Sequence, residues 1–177
     1  MIRKHIIYII GFMGSGKSTA GRKLAASMGW GFTDLDRKIE QTEGRTIAEL
    51  FSINGESYFR EAEARILREI DIDTDTVVST GGGTPCHGDN MDFMQKTGLT
   101  IYLKLSPEQL TTRLLESSTE RPLIKNVPDE KLNEFIREKL AQREKWYNKA
   151  NIIVEGINLD MSLLRSLIRS NAPIRNL

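Results

Sequence analysis

Gly11-Phe12-Met13-Gly14-Ser15-Gly16-Lys17-Ser18 fits the pattern G-x-x-x-x-G-K-[ST] at every position. A loop of this spelling wraps its backbone N–H groups around nucleotide phosphates. Gly11, Gly14 and Gly16 permit the positive φ angles and close backbone approach that a concave nest of amides requires. Lys17 then reaches the β- and γ-phosphates, and the Ser18 hydroxyl is placed to ligate Mg²⁺. The flanks agree with this reading. Residues 5–10 form a short apolar, β-branched run, and residues 17–28 have helical composition. Strand, loop and helix follow in the required order, with the helix N-terminus facing the anion. An ordinary glycine-rich turn needs no such context. The loop leaves open what receives the phosphate.

Further apolar, β-branched runs recur at 30–33, 77–79, 99–105 and 152–154, with helical patterns between them. That alternation predicts an α/β fold with a parallel sheet covered on both faces. Thr46 with Glu49 spells a capping box, Ser106 with Pro107 a cap followed by proline, and Asp129 starts a helix after Pro128. The 177 residues suit one domain with a core able to fold unaided. Twenty-five basic and 24 acidic residues leave a net charge of +1, so no field of one sign points to nucleic acid or an anionic membrane. A single cysteine, Cys86, rules out an internal disulfide and suits a reducing cytoplasm. The N-terminal apolar stretch is broken by Gly11 and Gly14, whereas spanning a bilayer takes about 20 apolar residues. A cytoplasmic chain without an export segment is expected.

Several polar residues stand where core or turn residues would do. Asp34 and Asp36 follow the run at 30–33 and so reach the C-terminal end of a strand, where open parallel sheets bind ligands. Two carboxylates on one side of an extended chain suit a hydrated Mg²⁺ and an acceptor hydroxyl; the alternative is a helix cap beside a surface charge. In the helical pattern over 56–70, Phe59, Ala62, Ile66 and Ile70 make one apolar stripe, while Glu61, Arg65, Arg68 and Glu69 point away. Glu63 falls within that stripe and Arg60 at its margin. They form either a structural ion pair or part of a ligand site. The helical pattern over 129–150 repeats the anomaly, with Arg143 amid Leu132, Ile136, Leu140, Tyr147 and Ala150. Two inward arginines on separate helices suit bidentate capture of a carboxylate or phosphate; a snorkelling or capping arginine is the alternative for Arg143. Gly81-Gly82-Gly83 ends another strand, as a flexible turn or as bare backbone against a ligand. Residues 116–128 are irregular and polar, a lid or a mobile loop, and Arg121 within them is either a cover for the phosphates or solvated.

Together these motifs resemble the shikimate kinase family through nearly the whole chain: GFMGSGKS at 11–18, D-x-D at 34–36, FREAE at 59–63, GGG at 81–83, RPL at 121–123 and REKWYNKA at 143–150. The resemblance implies a five-stranded parallel sheet flanked by helices, a three-layer sandwich of the P-loop nucleoside-monophosphate-kinase type with a lid. It implies one kinase domain over 1–177, with a substrate-binding region over about 34–62 and a lid over about 116–128. The activity implied is transfer of the γ-phosphoryl group of ATP to the 3-hydroxyl of shikimate, on the route to chorismate and the aromatic amino acids. ATP would lie on Gly14, Ser15, Gly16, Lys17, Ser18 and Thr19, with Arg121 as the lid arginine. Lys17, Asp36 and Arg121 would act catalytically, Asp36 orienting or deprotonating the acceptor hydroxyl. Asp34 would hold Mg²⁺ through water beside Ser18. Arg60 and Arg143 would clamp the shikimate carboxylate, Gly82 would meet the ring hydroxyls, and Glu63 would orient the site. The partners implied are ATP and shikimate alone, with no nucleic acid or membrane, on a monomer. The family usually carries an adenine-stacking arginine seven residues before the lid arginine. Here Leu114 occupies that position and Arg113 precedes it, and an extra residue within 116–120 would restore Arg113 to the role. A loop near Ile157 and Asn158 would also border the adenine.

A gluconate or nucleoside monophosphate kinase would share the loop and lid, but it explains less well two inward arginines with D-x-D and GGG. A GTP-binding switch would need N-K-x-D after a late strand. The Asn148-Lys149 pair continues as Ala150-Asn151 at a helix end, and no D-x-x-G follows a strand.

Overall fold

The computed structural model describes residues 5–70, 74–117 and 124–171. Five short strands, β1 (Ile6–Ile10), β2 (Gly31–Asp34), β3 (Thr76–Ser79), β4 (Leu99–Lys104) and β5 (Ile152–Glu155), form one parallel sheet in the order β2-β3-β1-β4-β5. Helices α1 (Lys17–Met28), α2 (Leu35–Glu43), α3 (Ile47–Arg68), α4 (Asn90–Thr97), α5 (Pro107–Leu115), α6 (Asp129–Tyr147) and α7 (Met161–Asn171) connect and cover them.

The period-2 geometry of β1 explains the layering. Ile7 and Ile9 point to one face, where they pack with Leu24 of α1 and Leu164 and Ile168 of α7. Tyr8 and Ile10 point to the other, among Phe59, Met94, Leu110 and Ile136 from α3 to α6. Ile7, Ile9 and Ile10 are wholly buried, as a strand with helices on both faces requires.

Register brings the functional segments to one edge. Ser79 lies opposite both Ile9 and Asp34, so β1, β2 and β3 end at the same level. The connections leaving β1 and β3 run to opposite faces of the sheet, and the crevice outside such a parting is where doubly wound sheets bind ligands.

The helix caps follow the expected spelling. Thr46 with Glu49 and Ser106 with Gln109 each make a reciprocal capping box, the second with Pro107 at the first helical position. Two helices depart from the sequence pattern. The helical stretch that periodicity starts at 56 begins at Ile47 and is broken at Gly55 (φ 83°, ψ 171°), a conformation that residues with a Cβ rarely adopt. Helix α6 stops at Tyr147, three residues before the end of its apolar pattern.

Candidate active site

The phosphate loop bends through Gly14 (φ 78°) and Gly16 (φ 90°), and Gly16 is the residue preceding α1. No side chain caps that helix end, so its first N–H groups face the crevice, where the helix dipole favours an anion. Helix α5 closes over the loop. A Cβ on Gly14 would sit 2.9 Å from Leu114 Cδ2, and one on Gly16 would sit 3.4 Å from Arg113 Nη1. The resulting cleft, about 410 Å³, is lined by Gly14, Gly16, Lys17, Ser18 and Thr19 on one side and by Asp36, Thr80, Gly82, Arg113 and Glu116 around them. Lys17 is 8% exposed and its Nζ donates to the Phe12 carbonyl oxygen at 2.8 Å. Ser15 is buried, and its Oγ has no hydrogen-bond partner among the described residues.

Asp34 and Asp36 do not alternate along one extended strand as the spacing suggested. β2 ends at Asp34, which is also the N-cap of α2, and Asp36 sits in the first turn of that helix. Asp34 therefore caps the helix and still meets Ser18 of the phosphate loop. Its Oδ1 accepts from the Arg37 backbone N–H at 3.3 Å while Oδ2 accepts from the Ser18 hydroxyl at 2.6 Å. Ser79 Oγ lies 3.3 Å from Ser18 Oγ, making a small cluster of hard oxygen donors beside the phosphate loop. Burial pushes the Asp36 carboxyl up from 3.8 to about 6. Lys17 opposes the rise, and Asp34, Glu63 and Glu40 add to it.

The turn 81–84 is the template on which the remaining groups meet. A Cβ on Gly81 would fall 2.9 Å from Asp36 Oδ1 and 3.0 Å from Glu63 Oε1. On Gly82 it would meet the Met13 backbone N at 3.1 Å and Arg143 Nη1 at 3.6 Å. On Gly83 it would meet Arg60 Nη2 at 2.7 Å. None of the three has a positive φ among the described residues. Glycine is needed here for close approach, because the protein's own side chains occupy the space a Cβ would take.

Around this turn, Glu63 is wholly buried and doubly held. Arg60 Nη1 donates to Oε2 at 2.9 Å, and the Thr84 hydroxyl donates to Oε1 at 2.5 Å. Arg60 also meets Glu56 at 3.3 Å and lies over the Phe59 ring at 5.0 Å. Glu63 is thus a satisfied ion pair that also aims Arg60 at the glycine turn. From the opposite side, Arg143 packs over the Phe12 ring at 5.3 Å. Its Nη1 is buried and has no hydrogen-bond partner among the described residues. A buried guanidinium N–H left in this state is costly unless an acceptor arrives.

Lys17, Ser18, Asp34, Asp36, Arg60, Gly82 and Arg143 accordingly come together at one end of the sheet. Arg121 lies outside the described residues. Arg113, one position out of the family's register, is the residue of α5 that hydrogen-bonds to the loop, donating to the Ser15 carbonyl at 3.1 Å, whereas Leu114 is buried and packs its side chain against Gly14. A second recess of about 300 Å³ joins Gln109, Thr112 and Arg113 to Ile157 and Asn158. Tyr147 and Thr84 were not singled out from sequence. Tyr147 reads as one more member of the apolar stripe, and the only signal for Thr84 is a hydroxyl placed directly after three glycines.

Comparison with known proteins agrees with this geometry. The sequence model of the shikimate kinase family matches residues 13–168. A shikimate kinase of Parabacteroides distasonis is 42% identical over 150 residues, covering 85% of this chain and 87% of its own. The structure of the Acinetobacter baumannii shikimate kinase in complex with shikimate superposes with a TM-score of 0.85 at 32% identity, over 96% of each chain. A gluconokinase from Sinorhizobium meliloti, at 15% identity and a TM-score of 0.53 over 96% of this chain and 94% of its own, shares the fold alone. With the phosphate loop, the paired aspartates and the glycine turn assembled at one sheet edge and the family match running through them, this chain belongs to the shikimate kinase family.

Proposed function

We propose that the site transfers the γ-phosphoryl group of ATP to the 3-hydroxyl of shikimate, giving shikimate 3-phosphate and ADP. The observation that carries this reading is Asp36, a half-buried carboxylate within the field of Lys17 and against the turn that also meets Arg60 and Arg143. In this reading the amides of Gly14, Ser15 and Gly16, with Lys17, Ser18 and Thr19, hold the phosphates of ATP. Arg60 and Arg143 clamp the acceptor's carboxylate, and Gly82 meets its ring hydroxyls. Asp36 accepts the proton of the 3-hydroxyl as its oxygen bonds to the γ-phosphorus and the bond to the ADP oxygen breaks. Lys17 and Arg121, from the 116–128 lid, offset the charge on the transferred group.

The oxygen donors of Ser18 and Asp34 suit Mg²⁺, which prefers hard ligands and is commonly held by one or two protein oxygens beside substrate phosphates. When bound, Mg²⁺ would neutralise charge on the β- and γ-phosphates, with Ser18 as direct ligand and Asp34 acting through water.

The working unit in this reading is a monomer, with residues 1–177 as one domain built round a single parallel sheet. The single cysteine and near-neutral charge suit the cytoplasm, and no helix among the described residues is long and apolar enough to cross a membrane. A coupled ADP-release assay with ATP, Mg²⁺ and shikimate tests the reading. Turnover is expected with shikimate; turnover with gluconate or a nucleoside monophosphate in its place would overturn it.

A further inference from the structure

A line of hydrogen bonds leads from the protein surface to Arg60. Arg68, near the end of α3, lies over the Phe93 ring at 4.8 Å and pairs with Asp89. Its Nη1 donates to Asn90 Oδ1 at 2.8 Å. Asn90, the first residue of α4, donates from Nδ2 to the Thr84 carbonyl oxygen at 3.0 Å. Thr84 donates its hydroxyl to Glu63, which receives Arg60 on its other oxygen. The guanidinium at one end and the carbonyl at the other fix which way the Asn90 amide faces.

Asn90, Thr84 and Glu63 are 1%, 0% and 0% exposed. Buried polar groups of this kind are costly unless each is paired, and here each is. Core filling alone would use a small apolar residue at 84. The Thr84 N–H also closes the turn onto the Gly81 carbonyl at 3.2 Å. One residue therefore sets both the bend that Asp36, Arg143 and Arg60 press against and the direction in which Glu63 aims Arg60.

We propose that Thr84 and Asn90 are positioning residues for the acceptor: their hydrogen bonds hold Glu63 and the glycine turn in the register at which Arg60 meets the substrate carboxylate. Neither residue touches substrate. Without the Thr84 hydroxyl, Glu63 Oε1 is left unpaired and draws both nitrogens of Arg60 onto itself, turning the guanidinium from the acceptor. The phosphate loop stands outside this chain of bonds, so nucleotide binding is unaffected. The inference rests on Arg60 being an acceptor ligand, as proposed above.

The test begins with turnover of shikimate by the unaltered chain, whose absence would overturn the functional reading rather than this one. Steady-state constants are then measured for Thr84→Val, Thr84→Ser and Asn90→Asp, with melting temperatures alongside. Loss of a hydroxyl bond to a carboxylate corresponds to about a tenfold rise or more in the shikimate KM for Thr84→Val. The ATP KM stays within about twofold, and Thr84→Ser restores the shikimate KM. Asn90→Asp keeps the Arg68 partner but sets two acceptors against each other, and raises the shikimate KM about fivefold. If Thr84→Val does not fold, Asn90→Asp decides. A shikimate KM within twofold of the parent in the folded variants, or equal rises in both KM values, would show a purely structural role and overturn the proposal.

Discussion

Tyr147 donates its hydroxyl to the Gly82 carbonyl oxygen at 2.5 Å, one helical turn beyond Arg143, whose Nη1 faces the same glycine. Helix α6 therefore holds the Gly82 backbone through Tyr147 and sets Arg143 beside the open face of the same turn. Tyr147 is wholly buried, and its ring meets that of Tyr102 at 5.0 Å.

Tyr147→Phe keeps the ring packing and removes only the hydroxyl. The Gly82 carbonyl is then left without its donor, a loss of about 1–3 kcal/mol in denaturant unfolding. The shikimate KM should rise while the ATP KM holds. An unchanged unfolding free energy would mean that water replaces the hydroxyl.

Asp36, with its carboxyl raised to about 6 mainly by burial, controls the acid side of the pH profile. Below that pH it is protonated and cannot accept the hydroxyl proton, so kcat/KM should fall below about pH 6. For stability the sign is opposite. A carboxyl raised from 3.8 to about 6 favours folding below 3.8, and that contribution is lost as pH rises through about 6. Asp36→Asn should therefore collapse kcat, remove the acid limb, and stabilise the fold at pH 7 by about 1–3 kcal/mol. Retained kcat in this variant would take Asp36 out of its role.

Gly83→Ala isolates the close approach to Arg60. The new methyl would stand 2.7 Å from Nη2, and the guanidinium, the far end of a flexible side chain, gives way. The fold should hold, because Gly83 needs no special φ (−89°). Misplacing a binding group by about 1 Å costs on the order of 100-fold, so the shikimate kcat/KM should drop by about 10- to 100-fold at constant ATP KM. Equal losses for both substrates would point instead to a distorted phosphate loop.

Asp34→Asn separates charge from hydrogen bonding. Asn caps a helix about as well as Asp and can still accept from Ser18, so stability should change by less than about 0.5 kcal/mol. The lost charge should appear as a higher Mg²⁺ requirement and about a 10- to 100-fold lower kcat. A Mg²⁺ titration of activity reads the first, and coincident curves for parent and variant would exclude Asp34 from the metal.

The phosphate loop and the strands at 6–10, 77–79 and 152–154 were legible because their signals are local: a spelled motif and short β-branched runs between caps. Arg143 was legible as a charge on an apolar stripe, and the structure leaves its Nη1 buried and unpaired among the described residues. What periodicity missed depends on contacts remote in sequence. The break at Gly55 interrupts a helix whose composition continues across it. The grip of Tyr147 on residue 82 spans 65 positions, and a buried tyrosine on a stripe looks the same whether or not its hydroxyl is used. Alternation along a strand placed Asp34 and Asp36 on one side for the wrong reason, since the strand has already turned into α2 at Asp36.

The central place of β1 in the sheet has a mechanical consequence. The strand that carries the phosphate loop is hydrogen-bonded on both sides, by β3 and β4, whereas β2, which delivers Asp34 and leads into α2 and α3, is an outer strand. The phosphate loop is thus anchored to the most constrained strand of the sheet, while Asp34 and Asp36 hang from its margin.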